Sequence, residues 1–519
     1  MVAVLGRPQI NRRQKAVPVP VTSPVGGWNT RDSLDEMKPT DAVFLDNWFP
    51  GLGACSLRGG SAAYANTLGG AVKTVAEFNA KGVRKFIAAA NAKIWDISAA
   101  GAGVQLATGF GNDIWNTAQF DDASGGPRMG LVNGTDAPQQ YDGTTVGAMT
   151  ISGTGLTVAN LNGIHIFKGR SYFWDDRTQD FWVSATNALG GICTKFPLGR
   201  VTNGGGNLLG MGTWSRDAGS GMLDAAIFIL NSGDVLVYAG DDPTSPSAWQ
   251  LVGRYSTGAP ISKRAIKKIG AELFIVTKAG YIPLTSILPT GRLNEERSSI
   301  SDKIRGIALS SVKTYGTNFG WDILHYPAKN WLLVNVPLTT TLMHQHVMNT
   351  DTGAWCRFIG MNALCWSLFN DLPYFGTANG TVLKADSGRN DAGLPLTADG
   401  QVAWNYLGNR RNIKRASALR VLLNTSGGPL SYSAGIGFDF VTPLTLSITQ
   451  NAVLGAVSAP WDTSPWDTSQ WSSEQAISRF WSSVRGSGYA VSARLAITTS
   501  TEAVDWFSLN YLIEGGGVL

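Results

Sequence analysis

Apolar and polar positions alternate in short runs along most of this chain, most clearly in residues 228–255, which read FILNSGDVLVYAGDDPTSPSAWQLVGRY. Two apolar runs flank a polar turn at 231–234, and a third run opens at Trp249. A period of two gives each run one buried face, and Gly233 can supply the positive φ that tight hairpin turns need. The pattern therefore predicts three short antiparallel strands.

Looser versions of this unit recur through the middle of the chain, and several of them end in Trp. They lie at 94–97, 163–174, 273–284, 331–336 and 372–383. Repeated hairpins of this size are typical of a β-propeller or a similar radial array. The sequence therefore predicts an irregular propeller of about six to eight blades over residues 31–390, and its closure can borrow a strand from either end of the chain.

A segment rich in Asp, Gly and Pro (386–400) then interrupts the pattern, as linkers and long loops do. Beyond it, clean alternation returns in six runs, at 402–407, 418–423, 430–437, 444–448, 489–497 and 504–513. Such runs predict a β-sandwich. The predicted fold class is all-β, with the propeller followed by a C-terminal sandwich over 391–519.

The amino-acid composition agrees with an all-β protein and excludes few other classes of protein. Glycine is 62 of 519 residues, and charged residues are 15% of the chain, against a usual ~25%. The formal charge of +5 is small for this length and does not identify a nucleic-acid-binding protein. No apolar run approaches ~18 residues, and no apolar segment follows the basic residues near the N-terminus, so we expect no transmembrane helix and no secretory signal.

Residues 1–30 are predicted to form an extended arm, because the segment VPVPVTSPVGG favours extended geometry and has no core of its own. Two interpretations are open: a disordered tail, or an arm that docks on a neighbouring subunit. The second yields a hypothesis in which the arm is mobile in the free protein and orders on assembly. Deleting residues 1–27 would then leave thermal unfolding of the monomer unchanged and impair assembly.

The cysteines and histidines give no metal-binding pattern, and we expect neither a metal nor a cofactor. The four cysteines form no C-x-x-C, which favours buried free thiols; they are Cys55, Cys193, Cys356 and Cys365. His344 and His346 share one face of a predicted strand, but no third ligand is local before Asp351.

The carboxylates likewise give no pattern that indicates a catalytic site. A propeller glycosidase would need carboxylates placed across a substrate. The adjacent pairs Asp175-Asp176 and Asp241-Asp242 lie in predicted turns, where neighbouring side chains diverge. The glycine run at 204–206 precedes no helix signal, so a phosphate-binding loop is not expected. The sequence therefore predicts a protein that is not an enzyme.

Two basic clusters remain as candidate DNA-channel or interface residues: Lys263, Arg264, Lys267 and Lys268, and Arg410, Arg411, Lys414 and Arg415. In a strand, the first cluster would place Lys263 and Lys267 on one face and Arg264 and Lys268 on the other, so only half would line one surface. The second cluster is predicted in the loop that opens the sandwich. Each cluster fits a solvated or subunit-interface surface, or a contact with DNA phosphates.

A tandem repeat, WDTSPWDTSQW, spaces Trp461, Trp466 and Trp471 five residues apart, which matches neither strand nor helix. Its indoles are expected either to pack back on the sandwich or to form an exposed aromatic contact surface.

Several of these segments, in this order, resemble the β-propeller tail proteins of short-tailed bacteriophages, described as nozzle, tail hub or packaged-DNA stabilisation proteins. The resemblance lies in GGWNTRDSLDEMKPTDAVFLDNWFPGLGACSLRGG (26–60), in 232–280, in MNTDTGAWCRFIGMNALCWSLFNDLPYFGTANGTVLKADSG (348–388), in the WDTSPWDTSQW repeat and in the terminal NYLIEGGGVL. Together they cover much of the chain, although no single motif among them is specific alone.

The resemblance implies a structural virion protein of the phage tail, made in the host cytoplasm. Such a protein forms a ring, by resemblance a homohexamer, below the portal and adaptor proteins and next to other tail proteins. It would retain the packaged double-stranded DNA, touch it transiently and without sequence preference, and conduct it during ejection. Two other classes stay open: a glycan-binding or glycan-cleaving propeller of the tail, and a propeller that interacts with host proteins.

Overall fold

A computed structural model describes residues 15–80, 82–123, 125–202, 205–217, 222–287, 299–426, 430–443, 446, 448–452, 476–478 and 480–515. The chain divides into two compact units. The sandwich unit consists of Met1–Leu57 and Thr397–Leu519, and the propeller unit of Arg58–Leu396. Residues 31–57, predicted as part of the propeller, therefore group with the C-terminal residues.

The sandwich unit begins with five strands from the N-terminal segment: β1 (Val17–Thr22), β2 (Gly27–Trp28), β3 (Asp41–Asp46), β4 (Trp48–Pro50) and β5 (Cys55–Leu57). The propeller unit then begins with β6 (Ser61–Asn66), which does not belong to the first blade.

The described part of the propeller unit contains seven blades, of which five are separate small sheets and two are strand groups of one larger sheet. Blade 1 contains β7 (Thr74–Ala80), β8 (Val83–Ala90), β9 (Lys93–Asp96) and β11 (Val104–Thr108), whereas the short β10 (Gly101–Ala102) between β9 and β11 pairs with β6. Blade 2 contains β12 (Asn116–Asp122), β13 (Gly126–Val132), β14 (Gln139–Tyr141) and β15 (Val146–Ala148). Blade 3 contains β16 (Ile151–Gly153), β17 (Gly163–Phe167), β18 (Arg170–Trp174), β19 (Asp180–Val183) and β20 (Gly191–Pro197). Blade 4 contains β21 (Leu208–Asp217), β22 (Met222–Leu230), β23 (Asp234–Gly240) and β24 (Trp249–Ser256).

The remaining blades complete the unit. Blade 5 contains β25 (Ile266–Ile269), β26 (Glu272–Thr277) and β27 (Gly280–Pro283). Blade 6 contains β28 (Asp322–Tyr326), β29 (Trp331–Pro337), β30 (Met343–Asn349) and β31 (Trp355–Ile359). Blade 7 contains β32 (Cys365–Phe369), β33 (Leu372–Gly376), β34 (Val382–Ala385) and the early strand β6, with the short β35 (Asn390–Asp391) beside β6. The helical segments are α1 (Arg305–Tyr315) and 3₁₀ turns at Val158–Asn160, Leu198–Arg200, Lys263–Ala265, Leu284–Ser286, Asp302–Ile304 and Pro327–Lys329.

The blades close into a ring. The inner strands of successive blades contact one another from β17 through β21, β25 and β28 to β32, and β32 contacts β7 of blade 1. Blade 1 contacts blade 2 through β7 and β13, and β12 contacts β17. Apolar clusters fill the spaces between neighbouring blades, such as the one that joins Phe181 of blade 3 to Phe228 of blade 4. The all-β class and the propeller are confirmed.

The turn in blade 4 shows why glycine is needed at the hairpin that the sequence marks. Gly233 has φ of +95°, and a Cβ there would lie 2.2 Å from the carbonyl oxygen of Thr257. Only glycine combines this left-handed backbone with so close an approach. The three predicted strands of 228–255 are β22, β23 and β24, paired antiparallel.

The sandwich unit is completed by β36 (Leu394–Val402), β37 (Lys414–Thr425), β38 (Leu430–Phe438), β39 (Ile448–Ala452), β40 (Ala476–Ser478), β41 (Trp481–Gly488), β42 (Val491–Thr499) and β43 (Val504–Gly515). One sheet centres on β43 and β37, and the other joins β3, β36, β42 and β38. The indoles of Trp48 and Trp506 lie 5.5 Å apart, and a Cβ on Gly400 of the facing sheet would lie 3.2 Å from each. Glycine thus lets the two sheets approach, and the predicted sandwich is confirmed with additional N-terminal strands.

The predicted arm has a partner within its own chain. β1 pairs antiparallel with β43, from Val17 opposite Ile513 to Thr22 opposite Ser508, and Val21 is buried. The hypothesis that this segment orders only against a neighbouring subunit is therefore wrong for Val17–Thr22, because the edge of β43 accepts it. Residues 1–14 lie outside the described part. No helix in the described residues is long and apolar enough to cross a membrane.

Candidate functional site

The candidate site is a cavity of about 340 Å³ in the propeller unit, and all seven blades contribute to its wall. The contributing strands include one inner strand from each blade (β7, β12, β17, β21, β25, β28 and β32), which identifies the cavity with the propeller axis. Its polar and charged wall includes Thr74, Asn116, His165, Lys263, Arg264, Lys267, Lys268 and Asp322. These residues line the axis because each lies on, or directly before, the innermost strand of its blade.

All four residues of the first basic cluster line this cavity, so the prediction that only half could share one surface is wrong. The physical reason is local backbone geometry. Lys263 and Arg264 lie in the 3₁₀ turn Lys263–Ala265, where the hydroxyl of Ser262 accepts a hydrogen bond from the Arg264 amide at 3.3 Å. Only Lys267 and Lys268 lie on the strand β25, so strict alternation does not run through the cluster.

Arg264 crosses from the start of blade 5 to blades 1 and 2. Its guanidinium donates to the carbonyl oxygen of Lys73 at 2.6 Å, to the hydroxyl of Thr74 at 2.7 Å and to the carbonyl oxygen of Trp115 at 3.4 Å. The same guanidinium lies 5.5 Å from the ring centre of Phe319. These contacts fix the side chain across the axis.

Lys263 makes a second such crossing, toward blade 3. Its ammonium donates to the carbonyl oxygen of Asn162 at 2.8 Å and also to that residue's side-chain oxygen. Desolvation, with a smaller effect of the nearby Arg264 charge, lowers the pKa of Lys263 to about 8. Its positive charge is therefore held in an unfavourable setting at neutral pH.

Lys267 and Lys268 are exposed residues on β25. The Lys268 ammonium donates to the hydroxyl of Ser215 at 3.2 Å, and that hydroxyl donates to the Asp224 carboxylate at 2.5 Å. Lys267 acts electrostatically on Asp322, described next. These two lysines are the members of the cluster whose ammonium groups can reach a ligand in the cavity.

Asp322 and His165 also line the cavity. Neither of them was identified from the sequence as a site residue. Asp322 accepts hydrogen bonds from the amides of Ile323 (2.9 Å) and Trp366 (3.1 Å). Burial raises the pKa of its carboxyl, and the charges of Lys267 and Arg264 offset part of that rise. Burial, with the charge of Lys268, lowers the pKa of His165 to about 4, and its Nε2 lies 2.9 Å from the Thr213 hydroxyl. The predicted hairpin 163–174 contains His165 in its first strand, whereas Asp322 lies outside every predicted hairpin.

The second basic cluster lies in the sandwich unit. Arg410 and Arg411 are in the predicted loop, whereas Lys414 and Arg415 begin β37. Lys414 is buried and donates to the carbonyl oxygens of Asn409 and Tyr489, the latter at 2.9 Å. Arg410 lies over the ring of Tyr406, 4.7 Å from its centre. Arg410, Arg411 and Arg415 are exposed and Lys414 is not, so three of the four can meet a partner.

The predicted acidic pairs make contacts typical of turns. Asp175 accepts from the Arg177 side chain at 2.8 Å, and Asp176 accepts from Asn162. Asp242 accepts from the Thr244 amide and forms an ion pair with Arg170 at 3.3 Å. Among the described residues that line the cavity, Asp322 is the only one with a carboxylate side chain.

The four cysteines are buried thiols, as predicted. Burial raises the pKa of Cys193 and of Cys365 to about 12, so both are held as thiols. His344 and His346 stack with ring centres 5.0 Å apart, and His346 shares a 2.8 Å hydrogen bond with the Tyr281 hydroxyl. Within the described residues, no group of three His, Cys, Asp or Glu side chains is placed to hold a metal. The WDTSPWDTSQW repeat lies outside the described residues.

Comparisons with known proteins give likenesses of low similarity. No protein-family model matches the chain, and no curated protein matches it. Among solved structures, the chain is similar to one from the complex of BBS1N with ARL6DN (8% identity, TM-score 0.40, covering 65% of this chain and 100% of that one). It is also similar to the extracellular domain assigned to a one-component system of B. thetaiotaomicron (11%, 0.40, 70% and 44%) and to Chaetomium thermophilum Raptor (11%, 0.38, 63% and 29%). With TM-scores below 0.5, these likenesses carry no argument about function.

Proposed function

We propose that this protein is a non-enzymatic structural component of a short-tailed phage tail, which assembles as a ring below the portal and adaptor, retains packaged DNA and conducts it during ejection. The observation that carries the proposal is the ordered resemblance of residues 26–60, 232–280 and 348–388 to the nozzle and hub proteins of such tails. In the structure, 232–280 runs through blades 4 and 5, and 348–388 through blades 6 and 7. These two resembling segments thus lie in the propeller unit, whereas residues 26–57 of the first segment lie in the sandwich unit.

The site chemistry supports a structural role over a glycan-cleaving one. A glycosidase needs two carboxyl groups separated across the scissile bond. In the described cavity wall, Asp322 is buried and accepts two backbone hydrogen bonds, and Lys263 and Arg264 are committed to backbone oxygens across the axis. These groups stabilise the closed propeller, and none is placed in a nucleophile–acid pair.

The proposal places the DNA path at the centre of a ring of subunits. Arg264 and Lys263 span the axis of the individual propeller through their hydrogen bonds to blades 1, 2 and 3. A duplex passing along that axis would have to break these contacts. The exposed Arg410, Arg411 and Arg415 are the candidate residues for subunit or phosphate contact.

The test is whether the protein belongs to virions as a ring. Purified phage should contain the chain in stoichiometric amount, most simply six copies, and a cryo-EM map should show it below the portal and adaptor. Particles that lack the protein should package DNA and then lose it. A chain absent from virions would contradict the proposal, and hydrolysis of sialosides or other glycans by the purified protein would favour the enzymatic alternative.

A variant of the exposed arginines in the second basic cluster tests their part in assembly. Arg410, Arg411 and Arg415 changed together to Glu should leave folding intact and impair ring assembly or DNA retention, because charge reversal turns attraction into repulsion. The matched control is a triple Glu variant of Lys93, Lys278 and Lys329, which lie in the propeller unit. If the two variants assemble and retain DNA equally well, the second basic cluster is not part of the interface.

A further inference from the structure

The cavity wall carries positive charge that the hydrogen-bond partners of its side chains do not neutralise. Four cationic side chains, Lys263, Arg264, Lys267 and Lys268, meet there. The hydrogen bonds of Lys263, Arg264 and Lys268 described above go to neutral oxygens of the backbone, Asn162, Thr74 and Ser215. Neutral acceptors satisfy the N–H groups but leave the net charge in place.

The carboxylates near the cavity do not balance this charge. Asp322 is the one in the described wall, and burial raises its pKa, which weakens its ionised form. Asp176 acts on Lys263 from outside the wall, and Asp224 reaches Lys268 only through the Ser215 hydroxyl. His165 adds no negative charge and is held neutral by its surroundings. Like charges in a partly desolvated space favour a bound anion.

The space suits a small ligand. A volume of about 340 Å³ lies at the lower end of the ~300–1,000 Å³ usual for small-molecule sites. A tetrahedral oxyanion has several acceptor oxygens, so Lys267 and Lys268, which lie on opposite faces of β25 and both line the cavity, can bind it from two sides as point charges. Lys263 and Arg264, fixed by their cross-axis bonds, supply a preorganised positive wall behind them.

We propose that the axial cavity of the propeller binds a small multivalent oxyanion of the phosphate class, with Lys267 and Lys268 as the direct ligands. The site is distinct from the proposed DNA path, since the cross-axis contacts of Lys263 and Arg264 close the axis to a duplex. It does not depend on the proposed tail function. The anion binds reversibly, and no bond is made or broken.

The experiment is calorimetric titration of the full chain with inorganic phosphate and, separately, with pyrophosphate, in a buffer without other multivalent anions and at constant ionic strength. We expect saturable binding to one site per chain and a rise in Tm, whereas chloride at equal ionic strength gives neither. In the double variant Lys267→Gln/Lys268→Gln, affinity should fall by about 10-fold or more, the loss expected when hydrogen bonds to a charged ligand are removed.

The matched control is Lys278→Gln/Lys329→Gln, which removes the same charge from exposed positions in blades 5 and 6 that are not in the cavity wall. It should bind phosphate as the wild type does, and the far-UV circular dichroism of both variants should match the wild type without phosphate. Non-saturable binding, or equal affinity in the two double variants, would overturn the proposal. Displacement of phosphate by a short DNA duplex would also overturn it, because the ligand would then be a nucleic-acid backbone.

Discussion

Several cationic side chains in the propeller unit are positioned by backbone oxygens, and this pattern helps to determine which of them tolerate substitution. Arg264 and Lys263 illustrate it at the axis, and Arg58 illustrates it where the unit begins. The sequence marks such residues only as charges. Their fixed positions depend on carbonyl groups more than a hundred residues away, as with Lys263 and Asn162, which a local pattern does not reveal.

Arg58 offers the clearest test of a buried charge. Its side chain is fully buried, and it donates to the Asp391 carboxylate at 2.5 Å, to Ile359 O at 2.6 Å and to Gly59 O at 2.9 Å. Arg58→Met should lower the free energy of unfolding by about 3–5 kcal/mol, because Asp391 loses its charged partner. Arg84→Met is the control: its pair with the exposed Asp371 should contribute at most about 1 kcal/mol. Guanidinium unfolding measures both, and similar losses would contradict the argument.

The stacked histidines predict how stability changes with pH. Burial, with a smaller effect of the Arg357 charge, lowers the pKa of His344 to about 4, and the pKa of His346 lies well below its usual value. The unfolded chain binds these protons near pH 6.5, whereas the folded protein binds the proton of His344 only near pH 4 and has a lowered pKa at His346 as well. The unfolded state therefore holds more protons in this window, and stability should fall as pH drops from 6.5 to 4, by up to about 1.4 kcal/mol per pH unit for each proton.

His344→Gln should reduce that slope, because one of the protons taken up on unfolding is removed. The free energy of unfolding, measured in urea at half-unit steps between pH 4 and 7, gives the slope directly. His325→Gln serves as the control, since His325 is half-buried and should contribute less. An unchanged slope in His344→Gln would show that other groups dominate the acid response.

At the scale of elements, period-two alternation predicted many of the strands, but residues 403–407 form no strand, and the predicted linker 386–400 contains β35 and most of β36. The runs 228–255 and 430–437 match strands closely. The arm could not be predicted in the same way. Its alternation is Val and Pro rather than apolar and polar, so the pattern shows an extended segment but not the edge that it joins.

The structure explains the Val-Pro spacing of β1. The Ser23 amide donates to Phe507 O at 3.1 Å, and with the register of β1 on β43 this places the amides of Val17, Val19 and Val21 toward the ladder. The alternate positions, Pro18 and Pro20, face away and present no N–H group. Proline on the outer side of an edge strand prevents another strand from pairing there. Deleting residues 1–27 should thus destabilise the sandwich unit rather than leave its unfolding unchanged.

Two single substitutions distinguish the role of the inward-facing valine amides from that of the outward-facing prolines. Val19→Pro removes an inward N–H and leaves an acceptor on β43 without its donor, so the free energy of unfolding should fall by about 1–3 kcal/mol. Pro20→Val restores an outward N–H, so it should change stability by no more than about 0.5 kcal/mol and increase self-association. Denaturant unfolding and light scattering measure the two effects. Equal destabilisation by both would show that the register of β1 is not as inferred.

At the scale of the whole propeller unit, ring closure was the feature hardest to obtain from the sequence. The hairpin spacing predicts a propeller of six to eight blades, but it does not show that blade 7 takes its fourth strand from Ser61–Asn66. That strand pairs antiparallel with β34, three hundred residues later. The axis residues Asp322 and His165 escaped prediction for the same reason, since an axis exists only once the blades are counted and closed.

Closure can be tested within the single strand β6. Ala65 is buried in the apolar cluster that joins blade 7 to blade 1, opposite Val382, whereas Ala63 on the same strand is exposed, opposite Leu383. Ala65→Glu places an unpaired carboxylate among Phe86, Val382 and their neighbours, and should lower the free energy of unfolding by about 2–4 kcal/mol. Ala63→Glu makes the same chemical change toward solvent and should stay within about 0.5 kcal/mol of the wild type. Limited proteolysis should cut Ala65→Glu first in blades 7 and 1, because the ring opens where its last strand is borrowed; equal resistance in both variants would show that closure does not depend on β6.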